Sequence, residues 1–117
     1  MLEEFHSYLP LSPATLHILL SLAAEDRHGY GIMQEVSRQS EGRYKLGPGT
    51  LYDNLQKLMA QGLVEEAGPP AAGDDPRRRY YRLTPSGRGV LSAEIERLET
   101  VVREARVRLR VAPRRAS

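Results

Sequence analysis

The spacing of apolar residues along this chain changes at Gly62, and this change limits which folds the chain can adopt. Before Gly62, apolar residues recur at helical spacing in three short segments. After it, LVEEA and RRRYYRL are typical of short strands, and GPPAAGDDP between them is rich in turn formers. A long helical pattern then completes the chain. The order predicts a mainly α fold with a small, two-stranded β-hairpin.

Capping residues set the expected bounds of the three short helices. Ser12 is an N-cap followed by proline, so we expect the first helix to cover residues 13–24. The second begins at the glycines of HGYG and ends by Ser40. The third follows GPG and ends just before Gly62, which takes the C′ position favoured by glycine.

The last helix is long and carries its own apolar stripe. Thr84 and Pro85 begin it, and it runs to about Val111. Steps of four and three residues along it have the period of paired helices: Leu91, Ile95, Leu98, Val102, Ala105 and Leu109. Because three short helices cannot cover so long a stripe, we expect a homodimer. Three N-terminal residues at helical spacing either widen this interface or fray: Leu2, Phe5 and Leu9.

Charge is distributed unevenly along the sequence. The net charge of +2 combines −6 over residues 1–76 with +8 over residues 77–117. A basic segment of this kind favours a polyanionic partner, with a solvated basic tail as the alternative. Arginine outnumbers lysine 15 to 2. This ratio suits phosphate binding, but genome base composition produces the same bias.

Composition excludes several classes of site. The 117 residues fit one domain, and the absence of cysteine rules out disulfides and thiolate chemistry and agrees with a reducing cytoplasm. No apolar run is long enough to span a membrane, and the N-terminus lacks the order of a signal peptide. His6, His17 and His28 lack metal-ligand spacing. We therefore expect a cytoplasmic protein that is not an enzyme and uses no cofactor or metal.

Four segments carry a resemblance to a known family: PLSPATLHILLSL, HGYGIMQEV, LGPGTLYDNLQKLMAQGLV and RRRYYRLTPSGRGVL. They span most of positions 10–91, and with them the chain resembles the PadR family of transcriptional regulators. The resemblance implies a winged helix-turn-helix at residues 1–83, a dimerisation helix at residues 84–112 and a basic tail at residues 113–117. It also implies a sequence-specific DNA-binding repressor, and two-fold symmetry predicts an inverted-repeat operator.

The start of the third helix is the first expected contact with DNA. The resemblance implies that Thr50 and Tyr52 approach the duplex there. Helix N-termini attract phosphate, and Gly49 has no Cβ to keep the backbone away from it. The alternative is that the glycines and the proline only shape the turn. We expect three further residues of this helix to face base edges in the major groove: Asn54, Gln56 and Lys57.

Two flanking segments are expected to contact the DNA backbone. Tyr44 and Lys45 precede the third helix and are placed to touch phosphate. The wing, residues 63–83, carries three adjacent arginines that we expect to reach phosphates or the neighbouring groove: Arg77, Arg78 and Arg79. Since neighbours on a strand point to alternate faces, one of them should pair with an acidic residue of the chain: Asp74, Asp75 or Glu66. Tyr80 and Tyr81 are expected to pack within the strand.

A second function stays open at this point. A winged helix can serve only as a protein-interaction module, in which the polar face of the third helix and the wing meet a protein instead of DNA. The sequence does not identify a small-molecule effector. Some short relatives bind flat aromatic ligands at the dimer interface beside a tryptophan, and this chain has no tryptophan.

Overall fold

The computed structural model describes residues 2–68 and 77–110. The chain begins with a 3-10 helix, and the elements follow in this order: the 3-10 helix (Leu2–Tyr8), α1 (Pro13–Ser21), β1 (Arg27–His28), α2 (Gly29–Gln39), α3 (Pro48–Ala60), β2 (Val64–Ala67), β3 (Tyr80–Leu83) and α4 (Pro85–Leu109). Within the described residues, none of these helices combines the length and apolar character needed to cross a membrane.

The capping residues that the sequence predicts lie at the ends of the helices. Ser12 and Thr84 each accept a hydrogen bond from the backbone N–H three residues ahead, at 3.2 and 3.0 Å. Gly62 follows α3 with φ +74°, a conformation that favours glycine. The predicted end of the first helix at residue 24 is wrong, because α1 stops at Ser21 and its last carbonyls bond to the N–H of Leu22.

The sheet has three antiparallel strands in the order β1–β3–β2, and not the two that the sequence predicts. Tyr81 of β3 lies between Arg27 of β1 and Glu66 of β2. A strand of two residues is too short to show an alternating pattern, which explains why β1 was missed. The strand predicted over residues 77–83 begins only at Tyr80. The connection over residues 69–76 lies outside the described residues.

One hydrophobic core joins the four α-helices and the sheet. Each large aliphatic side chain buried there contributes about 1.5–3 kcal/mol relative to exposure. Tyr80 and Tyr81 are also buried, which confirms that they pack within the strand. The completely buried aliphatic residues come from four helices: Ile18, Leu19, Ile32, Val36, Leu51 and Val90.

The first part of α4 packs into this core. Gly87 lies against the carbonyl of Leu63, where a Cβ would not fit. Leu91 is buried in the core of its own chain, so its assignment to an exposed dimer stripe is wrong. The packing is therefore continuous across the boundary drawn between residues 83 and 84.

The N-terminal 3-10 helix packs on α4 of its own chain. Phe5 covers Gly89 in α4, where a Cβ would collide with its ring, and Leu9 packs against the core. Phe5 and Leu9 therefore pack on their own chain, and the contact of this segment with a partner's stripe stays a prediction. The side chain of Leu2 lies outside the described part of the structure.

The remainder of α4, residues 95–109, extends away from the core with apolar side chains exposed. We call this segment distal α4. Ile95 is 39% exposed, Val102 49% and Leu109 72%, whereas Leu98 is half-buried. A helix of 25 residues is about 37 Å long, and the longest dimension of the molecule is 53 Å. The described core thus leaves most of the predicted stripe uncovered.

Candidate nucleic-acid interface

Two glycines at the start of α3 leave its backbone exposed, and the fold itself does not require them. Gly47 is the N-cap, with no side-chain hydrogen bond, and Pro48 takes the first helical position. A Cβ at Gly47 or Gly49 would meet no atom of the chain within 4 Å. Neither residue has a positive φ. The glycines are therefore required neither by packing nor by backbone geometry, which leaves room for a bound group at this helix N-terminus.

The outward face of α3 is formed by three polar residues, Asp53, Gln56 and Lys57, with Ala60 beside them. Gln56 and Lys57 were expected there. Asp53 was not among the expected DNA contacts, although it lies four residues after Gly49 and three before Gln56, on the side of the helix opposite Leu55. A carboxylate at this position can accept a hydrogen bond from cytosine N4, and it repels phosphate.

Asn54 does not lie on this face, so its expected base-reading role is wrong. Its Oδ1 accepts a hydrogen bond from the Thr15 hydroxyl of α1 at 3.1 Å. Its Nδ2 donates to the carbonyl oxygen of Thr50 at 2.8 Å. The side chain is half-buried at the contact between α1 and α3, and its amide is occupied within the chain. Thr50 itself is exposed at the first turn of α3.

Tyr52 connects α3 to the start of α2 and to the wing. Half of its surface is exposed, and its hydroxyl occupies the space that a Cβ on Gly29 would need. This contact explains the glycine at that position. A polar cleft of about 390 Å³, which we call the wing cleft, is lined by residues from α2, α3 and the wing: His28, Gly29, Tyr30, Tyr52, Arg77, Arg78, Arg79 and Tyr81.

The three wing arginines make different contacts. Arg79 forms an ion pair with Glu66 at 3.4 Å, which confirms that one of the three pairs with an acidic residue of the chain. Arg78 Nη1 lies 3.3 Å from His28 Nε2. Arg77 is exposed and also lines the wing cleft. Asp74 and Asp75, the other expected partners, lie outside the described residues.

Tyr81 lines the wing cleft as a neutral side chain. Burial raises the pKa of the Tyr81 phenol, and the nearby Tyr52 and Glu66 raise it further, whereas Arg79 lowers it. Tyr81 therefore keeps its proton at neutral pH. Its side chain therefore adds no charge to the cleft.

The turn before α3 is braced by the chain itself. The Ser40 hydroxyl accepts from the N–H of Tyr44 at 3.0 Å and donates to its carbonyl oxygen at 3.2 Å. The Tyr44 ring stacks on His17 at 4.9 Å and packs against the core. Packing thus occupies one face of the Tyr44 ring, and the phosphate contact expected of this residue stays a prediction, whereas Lys45 is exposed. In the described residues, no group of His, Asp and Glu has the arrangement of a metal site.

Comparison with known proteins identifies the family. The model of the transcriptional regulator PadR-like family matches residues 18–93. Transcriptional regulator Rv3488 of Mycobacterium tuberculosis is 40% identical over 89 residues, which cover 76% of this chain and 78% of that protein. The chain therefore has a relative that is similar over most of the length of both proteins.

Solved structures of similar fold agree with this result. RosR of H. salinarum superposes with a TM-score of 0.61 at 26% identity, covering 86% of this chain and 97% of its own. Bacillus subtilis PadR, solved in complex with operator DNA, superposes with a TM-score of 0.60 at 23% identity, covering 71% of this chain and 46% of its own. The winged helix with a long C-terminal helix is thus confirmed as the fold, and the chain belongs to the PadR-like family of transcriptional regulators.

Proposed function

We propose that this regulator acts in the cytoplasm as a repressor that binds double-stranded DNA at a specific operator. The observation that carries the proposal is the joining of α3 and the wing by one cleft, in which Tyr52 and three wing arginines meet. The operator complex of Bacillus subtilis PadR, a protein of the same fold, adds support. The arrangement suits a helix in the major groove with a basic wing on the adjacent backbone.

In this proposal the residues of α3 divide into two roles. The exposed backbone at Gly49 and the Thr50 hydroxyl lie at the positive end of the helix and bind a phosphate. Gln56 and Lys57 face base edges, where an amide matches adenine and an ammonium group matches guanine. Asp53 adds a preference for cytosine, because its carboxylate accepts from the exocyclic amine.

The proposal includes a homodimer formed through distal α4. The exposed side chains of Ile95, Val102 and Leu109 support it, because an apolar surface of this length in water normally finds a partner. Val101, also exposed, widens the same stripe and was not expected from the sequence. Two-fold symmetry places the two α3 helices about 34 Å apart, or a multiple of that distance, on an inverted repeat.

The test compares duplex DNA from the regulatory regions of the host genome with random duplexes of equal length. We expect at least one regulatory duplex to bind about 10³-fold more tightly than random DNA at the same salt concentration. We also expect affinity to fall steeply as salt rises, because bound arginines displace counterions. Absence of binding to every duplex would leave the protein-interaction module as the function.

A further inference from the structure

The hydrogen bonds of His28 determine which of its ring nitrogens carries the proton. His28 is the N-cap of α2, and its Nδ1 accepts a hydrogen bond from the N–H of Gly31 at 3.1 Å. An accepting ring nitrogen carries no proton, and a neutral imidazole has one N–H group. The proton therefore lies on Nε2. Capping of α2 thus fixes the tautomer of this side chain.

The protonated nitrogen faces a second donor. Arg78 Nη1 lies 3.3 Å from His28 Nε2, and a guanidinium group has donors but no acceptor. The two groups therefore cannot form a hydrogen bond with each other while Nδ1 caps α2. Two donors that converge in this way are satisfied together by one external acceptor, most strongly by an anionic oxygen.

The surroundings of this donor pair favour an anion. The donors line the wing cleft, in which, among the described residues, three side chains are arginines and none is a carboxylate. The His28 ring is held edge-on against Tyr80, with ring centres 5.3 Å apart, so its N–H keeps one direction. The Tyr52 hydroxyl lies over the adjacent Gly29 and adds a donor from α3. The cleft thus combines fixed donors with positive charge at the side of α3.

We propose that the wing cleft binds one backbone phosphate of the DNA duplex, with His28 Nε2–H and Arg78 donating to its oxygens. The inference rests on the DNA binding proposed above. It assigns His28 a direct contact with DNA and makes the N-cap of α2 part of the phosphate site. One phosphate held between α2, α3 and the wing also fixes the register of α3 along the groove.

The first test replaces His28 with asparagine. His28→Asn keeps an N-cap acceptor for Gly31 but does not reach the cleft with a donor. We expect unchanged thermal stability and a loss of affinity of about 10-fold or more, the effect of a lost hydrogen bond to a charged group. The slope of log affinity against log salt should stay the same, because His28 is neutral. Arg78→Gln should lower the affinity and reduce that slope by about one.

A matched control removes a wing arginine that does not line the cleft. Arg82 forms ion pairs with Asp26 and Glu65, at 3.4 and 3.7 Å. Arg82→Gln should reduce affinity less than either cleft variant. An affinity of His28→Asn equal to that of the parent protein overturns the proposal. If the parent protein binds no duplex at all, it is the proposed function that fails, and the two results are therefore distinct.

The second test asks whether the lost contact is to a phosphate. One phosphate at a time in the operator is replaced by an uncharged methylphosphonate. One position should weaken the parent protein but have little further effect on His28→Asn, because both changes remove the same contact. If every position weakens both proteins equally, His28 acts only on the fold and the proposal is wrong.

The tautomer is tested on the parent protein, so the result does not depend on the folding of a variant. Nitrogen NMR of the His28 ring should show Nε2 protonated and Nδ1 unprotonated, and the Nε2 signal should shift when operator DNA is added. An unprotonated Nε2 means that Arg78 donates to it, which removes the basis of the proposal.

Discussion

Two surfaces stay exposed in the described part of this protein, and they differ in chemistry. The α3 and wing surface is polar and carries arginines, whereas distal α4 exposes aliphatic side chains. Exposed polar groups are satisfied by water, but exposed apolar area costs about 25 cal/mol per Å². The first surface can stay free until DNA is present, and the second is driven to be covered at all times. We therefore expect constitutive dimerisation and conditional DNA binding.

A buried carboxylate lies at the point where α4 leaves the core. Glu94 is 1% exposed, and its Oε2 accepts from the N–H of Leu11 at 2.9 Å. The hydrogen bond from Arg97, with help from Leu11, lowers the pKa of Glu94 against the effect of burial. This contact attaches the segment before α1 to α4 just before distal α4 begins. It fixes the position of α4 relative to the segment that leads into α1.

The largest effect is expected from a variant that disrupts distal α4 but leaves the α3 and wing surface unchanged. Leu98→Glu places a charge in the middle of the apolar stripe, and we expect folded monomers by sedimentation. Specific DNA affinity should fall by about 10²-fold or more, since one half-site supplies only part of the contacts of a dimer. Residue 98 lies on α4, away from the wing cleft. A variant that stays dimeric and binds its operator normally would show that distal α4 is not the dimer element.

Leu91→Glu is the matched control for that experiment. Leu91 is buried in the core of its own chain, so the charge should unfold the domain instead of yielding a folded monomer. Circular dichroism distinguishes the two results. The contrast between residues 91 and 98 marks the point at which α4 leaves the core.

The next effect concerns the charge of the wing. Replacing Arg77, Arg78 and Arg79 with glutamine should weaken binding to all duplexes and reduce the salt slope by at most about three, one for each lost phosphate contact. Because Arg79 already pairs with Glu66, we expect a change of about two. Dimerisation should be unaffected. An unchanged slope would mean that these arginines act only within the chain.

A smaller effect is expected at the first turn of α3. Thr50→Ala and Tyr52→Phe each remove one hydroxyl, and each should reduce the binding free energy by about 0.5–3 kcal/mol. Folding should change little, because both side chains are exposed. Fluorescence anisotropy with operator DNA measures the loss. Parent-like affinity in both variants would remove this turn from the interface.

Base reading by the same helix is checked by specificity and not by affinity alone. Substitution of Gln56 or Lys57 by alanine should alter the preferred sequence, with about 1–3 kcal/mol of discrimination lost at one base pair. Asn54→Ala should leave the preference unchanged, because that amide bonds within the chain. Selection from a library of duplexes compares the three variants. Equal weakening on all sequences would make Gln56 and Lys57 phosphate contacts.

The smallest effect concerns the buried carboxylate of Glu94. Because the pKa of Glu94 is lowered in the folded protein, its ionised form stabilises the fold above the unfolded pKa, and this stability is lost as the pH falls through the folded value. Glu94→Gln should therefore reduce the free energy of unfolding by about 1 kcal/mol at neutral pH. The difference should shrink below about pH 4.3.

The exposed pair Glu104–Arg108 in distal α4 provides the control for that measurement. Glu104→Gln should have almost no effect on unfolding, because exposed ion pairs contribute little. Chemical unfolding at several pH values compares the two variants. Equal losses at both positions would show that burial does not distinguish Glu94.

The sequence alone determined the class of fold, the family and the order of the helices. These follow from signals that lie within a few residues of each other: the caps Ser12 and Thr84, the glycine after α3 and the apolar periods of the helices. The long stripe of α4 was also visible. Local hydrogen bonding and periodicity are encoded in adjacent residues, so they need no knowledge of the tertiary structure.

Only the tertiary structure decided which neighbour each side chain meets. Asn54 and Asp53 are both polar residues of α3, yet contact with Thr15 of α1 turns the first inward and leaves the second exposed. The pairing of β1 with β3 and the approach of His28 to Arg78 join residues about 50 positions apart. A periodic pattern predicts that a face is covered but does not identify what covers it, because side-chain contacts between elements depend on how the elements pack.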